Sequence, residues 1–448
     1  MPGRRTVVTA TALPPEARAR RPEYRNPDLT LSFGGPGRNV TLDLREIAEA
    51  FGSDLPPRLW DLLEIAVAVY AADIASLRGE NEAWVRSVRF LIPVREPAFW
   101  RGVEPKLAEA LYVLSHDDFV FDFCERSEPD GSAPAPTEAG KFTGADCVSL
   151  LSGGIDSFAG AALLLATERR PLFVAHRPQN PVIVASQEHV CRWLREAFGK
   201  PVSFVAIGCG PSRGTTTDYP FPPPEERETS QRTRSFLYLT LGALGCHAAG
   251  TSQLFCPENG VLAVNPPLTE ARVGGYSTAG TRPRTLARFS GLLSALGVPV
   301  QIENPFLYQT KGQLIRDVLR RYFPPEAIQG TVSCWMAGRL SRPCGGCIPC
   351  LVRAIAMHTA GLPPEAHMVD PLSTGGETGP ESAARANLID LLVLVGRLQT
   401  MTDAQLLRAY PMLLDLVPEA SVPSAIGMLR RFAEEAREAV GEGNGGQG

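Results

Sequence analysis

The sequence predicts an α/β protein built on a parallel sheet, preceded by a small α+β region and followed by a helical one. Three observations predict it. The 448 residues divide into about three units at roughly 150 residues each. Short apolar runs alternate with helical patterns from Cys147 to Ile207. Residues 127–144 (SEPDGSAPAPTEAGKFTG) cannot bury enough apolar surface to order themselves and read as a linker. With 44% hydrophobic and 21% charged residues the composition is that of a soluble globular protein. No stretch reaches about 18 apolar residues without a charge or turn former, and no apolar core follows the early arginines, so a cytoplasmic location is expected.

In chain order, residues 1–26 are rich in Arg, Pro and Ala without apolar periodicity and are expected to be a flexible leader. Residues 27–126 form the α+β region. Leu29–Phe33 and Val40–Leu44 alternate around Gly34-Gly35-Pro36-Gly37, as in a hairpin. Leu59–Ala75 has helical spacing, and Ser87–Val94 is a strand stopped by Pro97. Residues 145–371 hold the sheet: strands Cys147–Leu151, Pro171–Ala175 and Val202–Ile207, with helices Phe158–Thr167 and Val184–Phe198 between them. Residues 372–448 open on a Gly-rich break and carry helical runs at Glu381–Thr400, Asp403–Leu414 and Ser424–Val440, the last eight residues reading as disordered.

The first sheet strand runs into Ser152-Gly153-Gly154-Ile155-Asp156-Ser157 before a helix, the place where parallel sheets bind ligands. Two glycines let successive N–H groups converge on an anion, the helix amino end adds positive charge, and Ser152 and Ser157 add hydroxyls. Phosphate is the natural guest. Asp156 repels phosphate, so its place is to position magnesium or to fix the loop. The loop lacks the Gly-Lys-Ser/Thr of a Walker A motif and the spacing of a dinucleotide fingerprint.

Four of the ten cysteines, Cys334, Cys344, Cys347 and Cys350, run as C-x9-C-x2-C-x2-C with Gly345-Gly346 supplying a tight turn. Four thiolates at this spacing suit a closed structural zinc site, although an iron–sulfur cluster uses the same ligands. A redox pair needs only two. The remaining cysteines, Cys124, Cys147, Cys191, Cys209, Cys246 and Cys256, read as buried small hydrophobes.

Ser152–Ser157 resembles the SGGxDS loop of the PP-loop ATP pyrophosphatases. Together with the cysteine cluster it resembles the QueC family, the 7-cyano-7-deazaguanine synthases, over roughly Asp146 to Ala356. Thr310-Lys311-Gly312 matches the family's Thr-Lys step, Ser333-Cys334 its Ser-Cys entry, and Arg353 a basic position after the last ligand. The resemblance implies that ATP and magnesium adenylate the carboxylate of 7-carboxy-7-deazaguanine, ammonia attacks to give an amide, and a second activation gives the nitrile. It implies nucleotide binding by Ser152, Gly153, Gly154, Asp156, Ser157 and Arg234, catalysis by Asp156, Ser157 and Lys311, and zinc on the four cysteines. A homodimer is a family tendency.

Two departures stand out. Arg232-Thr233-Arg234-Ser235 keeps the family's Arg at Arg234 and puts Ser235 where an Asn is usual, and Ala175-His176-Arg177-Pro178-Gln179 replaces an acidic or Tyr-Gly-Gln run. The polar segment from Glu258-Asn259-Gly260 to Thr278 fits a substrate-facing loop. Residues 1–126 and those beyond Leu372 exceed the housekeeping enzyme, and the layout resembles the enlarged QueC-like proteins of anti-phage systems, the QatC type and the type IV CBASS relative. That likeness implies transfer of the activated base to an amine on a partner protein. A PP-loop tRNA thiolase and a nucleotide-binding scaffold without turnover are the competing readings; the net charge of −4 offers no whole-protein field for nucleic acid, and no membrane partner is expected. In the first region Arg78, Arg86 and Arg89 read as solvated or facing an acidic partner, and Trp84 and Trp100 as core.

Overall fold

The computed structural model describes residues 5–33, 37–79, 84–127, 142, 144–212, 218–268, 279–373, 380–415 and 421–445. Eleven strands are described: β1 Arg5–Thr9, β2 Leu29–Leu31, β3 Val40–Leu42, β4 Ser87–Val94, β5 Asp118–Glu125, β6 Cys147–Leu150, β7 Pro171–His176, β8 Ser203–Ile207, β9 Cys209–Pro211, β10 Gln253–Phe255 and β11 Gln301–Glu303. The second sheet, in the order β11-β10-β6-β7-β8, is parallel throughout. Its central strands are buried, β7 along its whole length, because helices cover both faces there. Phe173 of β7 faces the core under helix Ile155–Ala166, while its neighbour Val174 joins the core under helix Arg234–Ala249.

The amino-terminal unit differs from its expected form. Its sheet, β2-β1-β4-β5, is also parallel, so the unit is a parallel α/β layer and not an α+β one. Residues 5–24, expected in a flexible leader, supply an interior strand: β1 lies between β2 and β4, and Val7 and Val8 are fully buried. The β-branched run Thr6-Val7-Val8-Thr9 carries that strand, its signal diluted in the sequence by flanking Arg, Pro and Ala. Tyr24 is buried as well, donating to the carbonyl of Phe90 at 2.8 Å and to Asp122 at 2.6 Å. The expected hairpin also fails. β2 pairs with β1, whereas β3 crosses to pair antiparallel with β9; of its turn, residues 34–36 lie outside the described residues.

Helix Pro57–Ala75 explains how the two sheets join. Seventeen of its nineteen residues are buried, the mark of a helix covered on every side. It packs against helix Arg234–Ala249 of the second sheet, and helix Pro97–Ser115 packs against helix Pro283–Ala295. One apolar core therefore runs from Leu31 and Phe90 of the first unit to Val174 and Leu254 of the second. Most of the 127–144 segment lies outside the described residues. The acidic side chains of helix Pro57–Ala75 are paired: Asp61 with Arg95 at 2.7 Å, Glu64 with Arg126 at 2.5 Å, and Asp73 with Arg86 at 2.5 Å.

The carboxyl-terminal helices Pro380–Thr400, Asp403–Ala409 and Val422–Gly445 share a second core with Val261, Val264, Val352 and Ile355 of the sheet domain. A Cβ on Gly260 would meet the Leu307 carbonyl and lie 2.7 Å from Cε of Met428, so the closest approach of the last helix requires glycine there. That helix continues to Gly445, where disorder from 441 onward is expected; residues 446–448 lie outside the described residues. No helix among the described residues is long and apolar enough to cross a membrane.

Candidate functional site

At the carboxyl end of β6 the chain turns through Ser152, Gly153 and Gly154 into helix Ile155–Ala166. Gly153 has φ +87°, and a Cβ there would lie 3.0 Å from the Gln187 amide nitrogen; backbone strain and crowding both demand glycine. Ser157 holds the turn from inside: its Oγ donates to the Gly154 carbonyl at 3.0 Å and accepts from the Ser152 amide at 3.2 Å. From outside, Ser186 Oγ and the Val332 amide both donate to the Gly153 carbonyl, at 2.6 and 3.3 Å. No side chain caps the following helix, so its first N–H groups and partial positive charge stay available to an anion.

Beneath the loop Asp156 and Lys311 form a buried ion pair. Lys311 opens a helical segment whose Thr310 cap and Gln313 make a reciprocal capping box, and the Leu314–Val318 turn that follows is π-helical. Thr310 is held in turn by Glu435 of the last helix, its Oγ1 donating to Oε1 at 2.6 Å. Asp156 also meets Asn259, whose Nδ2 stands 3.4 Å from Oδ2 and 3.1 Å from Glu258 Oε1. Burial, then the charge of Asp156, pushes the Glu258 carboxyl well above the usual range, with Lys311 opposing. Oδ1 of Asp156 is buried without a hydrogen-bond partner. Two carboxyls, an amide and an ammonium thus converge below a phosphate-sized turn.

Arg234 begins helix Arg234–Ala249, exposed, with its guanidinium 5.8 Å from the Tyr238 ring and Nη1 3.4 Å from Gln231 Oε1. Gln231 adopts φ +43° and accepts from the Tyr70 hydroxyl at 3.3 Å. His176 ends β7 buried, with Nε2 2.7 Å from the Cys209 carbonyl and its ring stacked on Tyr238 at 5.5 Å. Desolvation lowers its pKa to about 4. Gln187 connects the two regions, donating to the His176 carbonyl at 3.0 Å while its backbone backs Gly153.

The four cysteines come together: the Sγ atoms of Cys334, Cys344, Cys347 and Cys350 all lie within 4.8 Å of one another. Amides of Met336 and Cys344 donate to Cys334 Sγ at 3.3 Å, and that of Cys347 to Cys344 Sγ at 3.4 Å. Four sulfurs with N–H donors arranged around them can hold a zinc ion, whose bonds of about 2.3 Å need this spacing. Gly345, at φ +82°, makes the turn. The other six cysteines are buried, as expected.

Several residues fall in other places than expected. Arg78 and Arg86 are not solvated: both pair with Asp117, at 2.6 and 2.5 Å, in a buried network. Only Arg89 is partly exposed, 2.9 Å from Asp122. Arg353 clamps Glu365 at 2.6 Å and donates to Thr331 and Ser333, so it braces the segment entering the cysteine cluster. Ser186, Gln187 and Glu435 escaped the sequence reading because each sits mid-helix in an unremarkable pattern. Glu258 and Asn259 lay in a segment marked as polar, without a role. Residues 269–278 of that segment lie outside the described residues.

No family profile matches the chain. It is 27% identical over 231 residues to the 7-cyano-7-deazaguanine synthase of Synechococcus sp. (strain RCC307), covering 48% of this chain and 96% of the relative. The 7-cyano-7-deazaguanine synthase of Nitrosococcus oceani is 24% identical over 234 residues, 50% of this chain and 97% of its own. That of Synechococcus sp. (strain CC9902) is 28% identical over 231 residues, 48% and 94% respectively. The chain is thus distantly related to 7-cyano-7-deazaguanine synthases over about half its length, and the other half has no counterpart in these relatives.

Proposed function

We propose that the chain uses ATP to activate a carboxylate on 7-deazaguanine, as in 7-carboxy-7-deazaguanine, and passes the acyl group to an amine. The observation that carries this is the Asp156–Lys311 pair directly below an uncapped, glycine-built turn. A carboxylate resists amines until one oxygen becomes a leaving group. Its oxygen attacks the α-phosphorus, the bond to the bridging oxygen breaks and pyrophosphate departs; the amine then attacks the acyl carbon, AMP leaves and one proton passes to solvent or a basic side chain. Ser152, Gly153, Gly154 and Ser157 would cradle the pyrophosphate, Lys311 would offset its growing charge, and Arg234 would engage the nucleotide.

A magnesium ion would be held by Asp156 and Glu258, since Asp156 Oδ1 is buried without a partner and the Glu258 carboxyl is its neighbour. Bound there it would supply shielding of phosphate charge. Zinc on the four cysteines has no open position and would serve the fold.

As acceptor we propose an amine on a partner protein in a bacterial anti-phage system, with ammonia, giving 7-cyano-7-deazaguanine, as the alternative. The half of the chain beyond the relatives supports the first: it shares apolar cores with the sheet domain, mass that ammonia does not require. Pyrophosphate release from ATP, magnesium and 7-carboxy-7-deazaguanine tests the activation. Binding of ATP without release would leave a nucleotide-binding scaffold. Mass spectrometry of candidate partners tests the acceptor: a deazaguanine adduct supports conjugation, and free nitrile as sole product sinks it.

A further inference from the structure

A cavity of about 80 Å³ lies where the three parts of the chain meet, away from the loop. His116 comes from the end of helix Pro97–Ser115, Val264 from the sheet domain, Arg282 and Arg284 from the start of helix Pro283–Ala295, and Met412 and Asp415 from the carboxyl-terminal region. Arg282 is the unusual member. Its guanidinium has five N–H donors; Nη2 donates to the Asn265 carbonyl at 3.1 Å, Nε is buried without a partner, and among the described residues no carboxylate pairs with it. Burial lowers its pKa, with only the more distant Asp415 opposing. Asp415 itself lies 3.3 Å from Arg284.

A largely buried cation so thinly satisfied costs stability unless an anion joins it. Among the described residues the lining holds two arginines against one carboxylate, a surplus of one positive charge. His116 adds none, since burial and then Arg232 and Arg282 lower its pKa below the ordinary histidine range; it offers only a hydrogen bond. Val113, Val264, Pro283 and Met412 form an apolar part of the wall, beside Tyr112. We infer that this cavity binds a small aliphatic carboxylate, its single charge on Arg282 and its stem against Val264 and Met412. The inference is independent of the ATP chemistry proposed above.

Calorimetric titration of butyrate into the full chain, at constant ionic strength and with pyrophosphate present to fill the loop, tests it. Saturable one-to-one binding is expected, weakened about 30-fold or more by Arg282→Gln. Absence of saturable binding to the wild-type chain overturns the inference whether or not the variant folds, as does equal binding by a folded variant. Inorganic phosphate binding in place of butyrate overturns the carboxylate assignment.

Discussion

The carboxylate of Asp73 accepts both the backbone N–H and the hydroxyl of Thr233, each at 2.9 Å. Asp73 belongs to the buried helix of the amino-terminal unit, and Thr233 is the residue before Arg234, so the added unit caps the helix that presents the arginine. Tyr70, three residues earlier on the same face, reaches Gln231 in the same turn. Asp73→Asn keeps the shape and halves the charge compensation of Arg86. We expect KM for ATP to rise about tenfold with a smaller change in kcat, as in Arg234→Ala, and the double variant to be no worse than the worse single one. Steady-state pyrophosphate release checks it; additive losses would separate Asp73 from Arg234.

Asp156→Ala and Lys311→Met each leave the partner charged and buried, so both lose structure locally as well as chemistry. Pyrophosphate release is expected to fall at least ~100-fold in each. On the proposal that the four cysteines hold zinc, its content should not change, because no contact of either residue reaches a cysteine of the cluster. Metal analysis alongside the assay checks this, and loss of zinc in these variants would join two sites kept apart here.

Much of this was legible in the sequence because it rests on local chemistry. The glycine turn with its serines needs only six consecutive residues, and the cysteine cluster only seventeen. The central sheet showed as apolar runs at α/β spacing. What escaped depends on distant partners. β1 was hidden by its basic flanks, β3 pairs with β9 and not with the nearby strand, and Glu435 gains its place only through Thr310, 125 residues away. Arg78 and Arg86 looked like surface charges because their partner Asp117 follows a long helix.

Acid lability at His176 follows from its pKa of about 4. The unfolded chain binds its proton near pH 6.5, the folded chain only near pH 4, so the unfolded state holds more protons in between and stability falls as pH drops through that window. The loss amounts to about 3 kcal/mol at most. His176→Gln should lose less stability between pH 7 and pH 4, read from urea midpoints; parallel curves would refute the assignment.

Glu435 gives the opposite sign. Burial raises its pKa, with Thr310, Arg316 and Arg431 opposing and Glu438 adding to the rise. The folded state then holds the proton to higher pH than the unfolded chain, so this group's contribution is full below about pH 4.5 and is lost as pH rises through its raised pKa. Glu435→Gln, which can still accept from Thr310, should match the wild type near pH 4 and exceed it in stability at pH 8. Urea midpoints at the two pH values check it.

Removing a metal held by the four cysteines should reach the glycine turn, because only Val332 and Ser333 lie between them in the chain. Val332, whose amide donates to the Gly153 carbonyl, is followed by Ser333, held by Arg353, and then by Cys334. A ligand lost at Cys334 frees the end of that brace, and Gly153 loses one of its two outside donors. Structural zinc contributes folding energy directly. Cys334→Ser is therefore expected to lower the melting temperature and to weaken pyrophosphate binding several-fold, while Ser186→Ala, which removes the other donor at 2.6 Å, should weaken pyrophosphate binding with zinc retained. Unchanged pyrophosphate affinity in a zinc-free but folded variant would show that the loop stands without the metal hairpin.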